Sequence, residues 1–260
     1  MANAALVIDN LADSGTVTAS SQALTMPAAT LQDPHPSNRW RSLVSTAFIV
    51  LDNRALVTAD TSALFGMTCG RNSTVRLRRS SLDASGAAGD VLDTGTIVNG
   101  AASFDVSYGS FLYRSSAPQA WRYTRIDISD PDASYVEAGI ILDGLSEAFT
   151  YNFNPGGSIQ HIDRSRLAQA SSGQTLSWDD NTFRRVDLAF DWVTAAQRYG
   201  VIERMDRVKG KHRNILLMTD TASSNLPRAS LYGLLSDITP VGFTAFPDIF
   251  QKQLRLDERI

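Results

Sequence analysis

The sequence predicts a mainly β protein in two parts, a β-sandwich over residues 1–148 and an α+β unit over 149–260. Three observations carry this. Short β-branched and aromatic runs, separated by turn residues, fill the chain from residue 14 to about 145. No helix of useful length is legible in that stretch. Beyond about residue 150 the pattern changes to a long hairpin, a single helical periodicity and further strands. At 260 residues the chain is long enough for two domains, each with its own core.

In the first part the expected strands are "TVTASS", "STAFIVLDN", "STVRLRRSS", "ASFDVSYG", "RYTRIDIS" and "YVEAGIIL". Alternation is clearest where Val75 and Leu77 oppose Arg76 and Arg78, and where Ile126 and Ile128 oppose Tyr123, Arg125 and Asp127. "SSLDASGAAGD" and "DISDPDASY" read as loops. In the second part "SIQHIDRSRLAQASSGQTLSW" reads as a hairpin turning at Ser171 to Gly173. "FRRVDLAFDWV" alternates Val186, Leu188, Phe190 and Trp192 against Arg185, Asp187 and Asp191. Thr194 is the expected cap of a helix with Tyr199, Ile202, Met205 and Val208 on its apolar face, stopped by Gly210. Strands are expected again in "NILLMTD", "SLYGLLSDITPV" and "DIFQKQLRLDE".

Composition excludes several function classes. A net charge of −3 is too weak to suggest nucleic-acid binding. No apolar run approaches the roughly 20 residues needed to cross a bilayer, so no membrane role is expected. The N-terminus lacks a basic segment and carries Asp9 and Asp13, so the chain is expected to remain in the cytosol or assemble there. Cys69, the single cysteine, excludes an internal disulfide and a cysteine-based zinc site, and reads as a small buried hydrophobe. Only Lys209, Lys211 and Lys252 among 24 basic residues are lysines. Arginine's planar fork suits desolvated carboxylate pairs and interfaces, so the bias favours an assembly component.

The segment "DPHPSNRWRS", 33–42, can be neither helix nor regular strand, because each proline fixes φ and pushes its predecessor to extended geometry. Trp40 is the only large apolar group able to pin it. Trp40 is therefore read as a plug at one end of the sandwich, with Arg39 and Arg41 left in water. The competing reading is a binding loop for sugar or protein, formed by Asp33, His35, Asn38, Arg39, Trp40 and Arg41.

The first part resembles the discoidin-like, galactose-binding jelly roll. The resemblance rests on "VTASSQALTMPAATLQDPHPSNRWRS", on Phe48, Val50 and Asp52 in "FIVLDN", and on the later pair "STVRLRRSS" and "RYTRIDIS" running into "YVEAGIIL". The junction and second part resemble minor tail and tail-tip proteins of long-tailed bacteriophages. That resemblance is carried by Gly139, Asp143, Gly144, Tyr151, Asn152, Phe153, Arg184, Arg185, Phe190, Tyr232, Gly233, Leu234 and Leu235. It implies a tail-tube-like fold, a β-sandwich with one flanking helix that closes into rings.

No catalytic signature is present: HExxH, GxSxG, a Walker A loop, GxGxxG after a strand and CxxC are all missing from the sequence. His35, His161 and His212 are far apart. His161 and Asp163 share one face of a strand and could orient an imidazole for base work, but a solvated or interfacial hairpin arm is the simpler reading. The adjacent carboxylates of "SWDDN" point opposite ways in extended chain and read as a turn or cap. The acidic loops lack the spacing of a calcium site and offer a structural ion at best. "RVKGKHR", 207–213, is the one basic cluster.

The expectation is a structural virion protein without enzymatic activity or cofactor, a distal or minor tail component at the tail tip, assembled in the host cytoplasm. It would form a ring, hexameric in preference to trimeric, between tube and hub proteins. His161, Asp163, Arg164, Arg166, Arg207, Lys209 and Lys211 are its candidate subunit contacts. A carbohydrate-binding module for adsorption to host-surface glycans is the alternative.

Overall fold

The computed structural model describes residues 2–98 and 109–260, so the strand expected in "ASFDVSYG" lies outside the described residues except for Gly109. Among the described residues the fold is mainly β, with antiparallel sheets, one long helix and two short 3-10 helices. The chain divides into two compact units, Met1–Ala148 with Leu216–Ser230, and Phe149–Ile215 with Leu231–Ile260.

The first unit contains β1 (Ala5–Val7), β2 (Thr16–Ala19), β3 (Trp40–Arg41), β4 (Thr46–Met67), β5 (Thr74–Ser80), β6 (Leu92–Asp93), β7 (Ile97–Val98), β8 (Gly109–Ser129), β9 (Glu137–Ala138), β10 (Ile140–Gly144) and β11 (Ser146–Ala148). β4 and β8 are far longer than the "STAFIVLDN" and "RYTRIDIS" runs implied. Each serves two layers. The first half of β4 pairs with β2, its second half with β10, and β8 follows it along both. Register shifts between Asp52 and Val57, between Ala59 and Thr61, and between Phe65 and Met67 break the ladder, and Arg54 sits at φ 64° in the first break. Bulges bend strands. Ile49, Leu51, Val75, Leu77, Ile126 and Ile128 from one layer consequently meet Leu64, Met67, Phe111 and Ile141 from the other in a single buried core. That is a β-sandwich.

One face of this sandwich encloses charge. Arg79 continues the alternation of Val75 and Leu77 and is fully buried. Its guanidinium stands 3.9 Å from the Trp121 ring centroid and donates to Ser115 Oγ (2.6 Å), Ser62 Oγ (3.0 Å) and the Asp60 carbonyl (3.1 Å). Buried Asp143 accepts from Ser62 Oγ at 2.5 Å, from Thr124 Oγ1, and from Trp121 Nε1 and Asn53 Nδ2, each at 3.3 Å. Buried Asp60 pairs with Arg114 at 3.2 Å and accepts from the Ser146 amide. Burial pulls the Arg79 guanidinium below its ordinary pKa, against the opposing pull of Asp143 and Asp60. These bonds keep the buried charges from being orphaned.

The second unit holds β12 (Ser158–Asp163), β13 (Arg166–Gln169), β14 (Thr175–Trp178) and β15 (Thr182–Thr194), then a helix, α1, over 195–209. After β16 (Ile215–Met218), whose residues from Leu216 onward belong to the first unit, come β17 (Ser230–Leu235), β18 (Val241–Phe243) and β19 (Ile249–Glu258). Within the second unit, β19 pairs with β15, β17 and β18, and β15 pairs with β12. The hairpin turns where expected, with the Ala170 amide donating to the Gln174 carbonyl. Its arms differ from the expectation: "SIQHID" pairs with residues 182–187, and only 166–169 pair with 175–178.

α1 opens with a capping box between Thr194 and Gln197 and ends at Gly210, φ 52°. Its apolar face is a correction. Arg198–Ile202 and Met205–Lys209 are π-helical, and the i→i+5 bonding adds residues to each turn. Val201, Ile202, Met205 and Lys209 are buried, whereas Tyr199 and Val208 are exposed.

Candidate functional site

Three loops meet at one end of the sandwich. The first, 33–39, is fixed by Pro36, which is buried against two glycines. A Cβ on Gly139 would lie 2.1 Å from the Pro36 carbonyl oxygen and one on Gly66 2.8 Å from it. β3 then pairs with β9, setting Trp40 opposite Ala138 and Arg41 opposite Glu137. Trp40 is fully buried, and its indole donates to the Ser21 carbonyl at 3.0 Å. It therefore offers no ring to a ligand, and the loop's exposed chemistry comes from its neighbours.

Glu137 is the organising group. It is 4% exposed and accepts from Arg41 Nε at 2.5 Å, with Arg39 Nη1 3.8 Å away. That bond holds the Arg41 guanidinium above its ordinary pKa. Arg41 also lies 4.2 Å from the centroid of Tyr135, an exposed ring. Asp33 accepts from the His35 amide and contacts His35 Nδ1, both at 2.8 Å. The amide bond is the main cause holding the Asp33 carboxyl below its usual range. The His35 carbonyl accepts from the Asn38 amide, closing a turn whose His35, Ser37 and Asn38 side chains face water while Pro36 is buried. Across the rim, Asn72 donates to Asp132 at 2.6 Å and the Gly70 amide donates to Asp130 at 2.7 Å.

The structure thus gathers Arg39 and Arg41 on one carboxylate and places Asp33, His35 and Asn38 on the neighbouring turn. Sequence reasoning missed Glu137 and Tyr135. The available signal was an acidic residue inside the otherwise apolar "YVEAGIIL". Cys69 lies buried at the same end, where burial, with Asp130 and Glu137, pushes its thiol up to about 12.

The acidic loop 80–90 spends its carboxylates on its own backbone, and Asp130 and Asp132 of the other accept from Gly70 and Asn72. Asp83 accepts from the Ala88 and Ser85 amides, and Asp90 from the Ser81 amide. Among the described residues no group of three or more histidine, cysteine, aspartate or glutamate side chains is arranged to hold a metal ion.

The residues expected at a subunit contact are scattered over the second unit. His161 stands opposite Arg184 in an exposed strand, and Asp163 accepts from the Ser165 amide at 2.8 Å. Arg164 lies over the Phe183 ring at 4.8 Å, and Arg166 is opposite Trp178 in the exposed hairpin. Arg207 pairs with Glu203 one turn away, and Lys211 is exposed. Lys209 is a correction: it is buried on the helix's inner face, where the wider turn carries it. "SWDDN" is not a turn: Ser177 and Trp178 end β14, and 179–181 connect it to β15, with the Asn181 amide donating to Asp180.

The fold and loop end define a β-sandwich with a polar, arginine-rich rim and one exposed tyrosine. No protein-family model matches this chain, and no curated protein does. Among solved structures it is similar to a Ruminococcus gnavus GH29 fucosidase in complex with fucose, at 13% identity and a TM-score of 0.41, over 54% of this chain and 27% of that one. It is similar to the lectin domain of lectinolysin complexed with Lewis B antigen, at 11% identity and a TM-score of 0.40, over 54% of this chain and 99% of that one. A third is CpGH89CBM32-6 produced by Clostridium perfringens, at 15% identity and a TM-score of 0.39, over 52% and 98%. The chain spans just over a quarter of the fucosidase's length.

Proposed function

We propose that the first unit is a glycan-recognition module whose contact surface is the loop end around Arg41, Tyr135 and Glu137. A sugar ring presents an apolar C–H face and a rim of hydroxyls, and is held by an aromatic face beside fixed donors and acceptors. The observation that carries the reading is the guanidinium of Arg41, clamped by buried Glu137 and laid against exposed Tyr135. Asp33, His35 and Asn38 supply further donors and acceptors on the adjacent turn. The test is a glycan array probed with the full chain, followed by Arg41→Ala and Tyr135→Ala. Binding that both substitutions abolish while the melting curve is kept is the expected result. An array with no retained glycan, or binding indifferent to both, sinks the reading.

The second unit favours an assembly role beside it. Every residue of the β13–β14 pair is exposed, including Leu167, Leu176 and Trp178. A two-stranded hairpin without a core is marginal in water and gains stability from a partner. With the sequence resemblance to tail-tip proteins, this supports a structural protein that forms a ring in the tail tip of a long-tailed bacteriophage and carries the glycan module. A native mass corresponding to a closed oligomer, and ring-shaped particles in electron micrographs, are expected; a monomer at every concentration removes this part.

A further inference from the structure

The second unit bears two unlike apolar surfaces, both open to solvent. One is the hairpin. Cross-strand register pairs Arg166 with Trp178 and Ala168 with Leu176, so these four side chains share one face, while Leu167 joins Ser177, Gln169 and Thr175 on the other. The hairpin is amphipathic, and its apolar face is open to solvent, with Trp178 54% and Leu176 42% exposed. Asp179 and Asp180 follow directly, also exposed.

The other surface is an aromatic platform. A register shift in β15 between Phe190 and Val193 turns Trp192 outward, where its ring lies 5.6 Å from Phe246 and 6.3 Å from Tyr151. The Phe246 turn links this group to Phe243, beside which Arg198 lies 5.5 Å from the ring centroid. Phe246 is 59% and Phe243 78% exposed. Aromatic rings with an arginine are the side chains that dominate interface energies, and so much exposed aromatic area on one unit marks an interaction surface.

We propose that the platform of one copy receives the hairpin of the next, with Trp178 and Leu176 seated against Trp192 and Phe246. Charge complementarity selects a second copy as the occupant. The hairpin carries Asp179 and Asp180 at one end of its apolar face and Arg166 beside Trp178; the platform carries Arg198 beside Phe243 and, two residues after Phe246, exposed Asp248. Carboxylates then meet Arg198 and Arg166 meets Asp248. Because the two surfaces differ, the contact is head-to-tail, and repetition closes a ring or extends a filament. The inference rests on the assembly part of the function proposed above and names the surface that performs it.

The test uses the full chain with two double variants, Leu176→Ser with Trp178→Ser on the hairpin, and Trp192→Ser with Phe246→Ser on the platform. Near-ultraviolet dichroism and a melting curve establish that each remains folded. Light scattering is expected to find the wild type oligomeric and each variant monomeric. An equimolar mixture of the two variants is expected to give a dimer and nothing larger, since one intact hairpin and one intact platform make a single contact. Should the platform variant not fold, Arg198→Glu is expected to weaken assembly at least tenfold in concentration, and Asp179→Lys with Asp180→Lys in the same chain to restore it. If the wild type assembles and the folded variants assemble equally well, or the mixture stays monomeric, this contact is overturned while the ring reading stands. If the wild type is monomeric, both fall.

Discussion

Trp40 and Arg79 show how far single residues can be read. Trp40 is legible because a loop that two prolines keep out of helix and strand needs one large apolar anchor. Buried fully in the sandwich core, it should cost roughly 3 to 5 kcal/mol on substitution by alanine, as large aromatic deletions do. Urea unfolding checks this, and a Trp40→Ala midpoint equal to that of the wild type would return Trp40 to the recognition surface. Arg79 reads in sequence as one more charged residue beside Arg78. Only the alternation from Val75 and Leu77 places it inside, and its partners Trp121, Ser62 and Asp143 are too distant in sequence to be seen. The guanidinium fills the space over the Trp121 ring and joins Ser62 to Ser115, so Arg79→Leu leaves Asp60 and Asp143 buried with one cation fewer. A loss of about 3 to 5 kcal/mol is expected from breaking such a buried charged cluster. Arg79→Lys should recover little of it, since an ammonium cannot reproduce the flat fork. Recovery to wild-type stability by lysine would show that charge alone matters.

Elements were legible in proportion to how local their causes are. The cap at Thr194 and the stop at Gly210 are chemistry of a few adjacent residues, and both stand where the sequence puts them. The helix between them follows π bonding, a departure that periodicity at 3.6 residues does not capture, so Lys209, expected at a subunit contact, lies inside. β4 and β8 were seen only as halves because their bulges interrupt alternation at Asp52 and beyond. The β5–β6 pairing adds a pH dependence at the same scale. Arg76 Nε and Nη2 donate to Asp93 at 2.9 and 2.5 Å, and chiefly for that reason the Asp93 carboxyl is lowered from 3.8 to about 2. A carboxyl depressed in the folded state stabilises it fully above its unfolded pKa. That contribution is lost as pH falls from about 4 toward 2. Asp93→Asn should therefore narrow the stability difference between neutral and acid solution across that window. The effect is small, because the pair is a third exposed to water. An unchanged acid-unfolding profile would show that the pair contributes nothing.

For the whole molecule, the sequence divides naturally near residue 148, but the contacts of the first unit include a segment that no local signal assigns to it. Leu216–Ser230 returns from beyond the helix, and Leu216, Leu217 and Met218 pair with Val7, Leu6 and Ala5 of β1. All six side chains are buried. The Ala2 amide donates to Asp220 at 2.8 Å and Thr221 Oγ1 to the Asn3 carbonyl at 3.1 Å. An apolar run such as "NILLM" signals a buried strand, yet which unit it completes is a long-range choice that burial alone does not disclose. A fragment of residues 1–148 keeps the sandwich core, since no member of that core lies beyond Ile141. It loses one of the two partners of β1 and exposes an apolar edge prone to association. The fragment should therefore fold but unfold at a lower urea concentration, and associate more readily, than the same fragment carrying residues 216–230 on a flexible linker. Equal midpoints for the two proteins would mean that β1 needs only β11, and that the returning segment contributes nothing to the stability of the first unit.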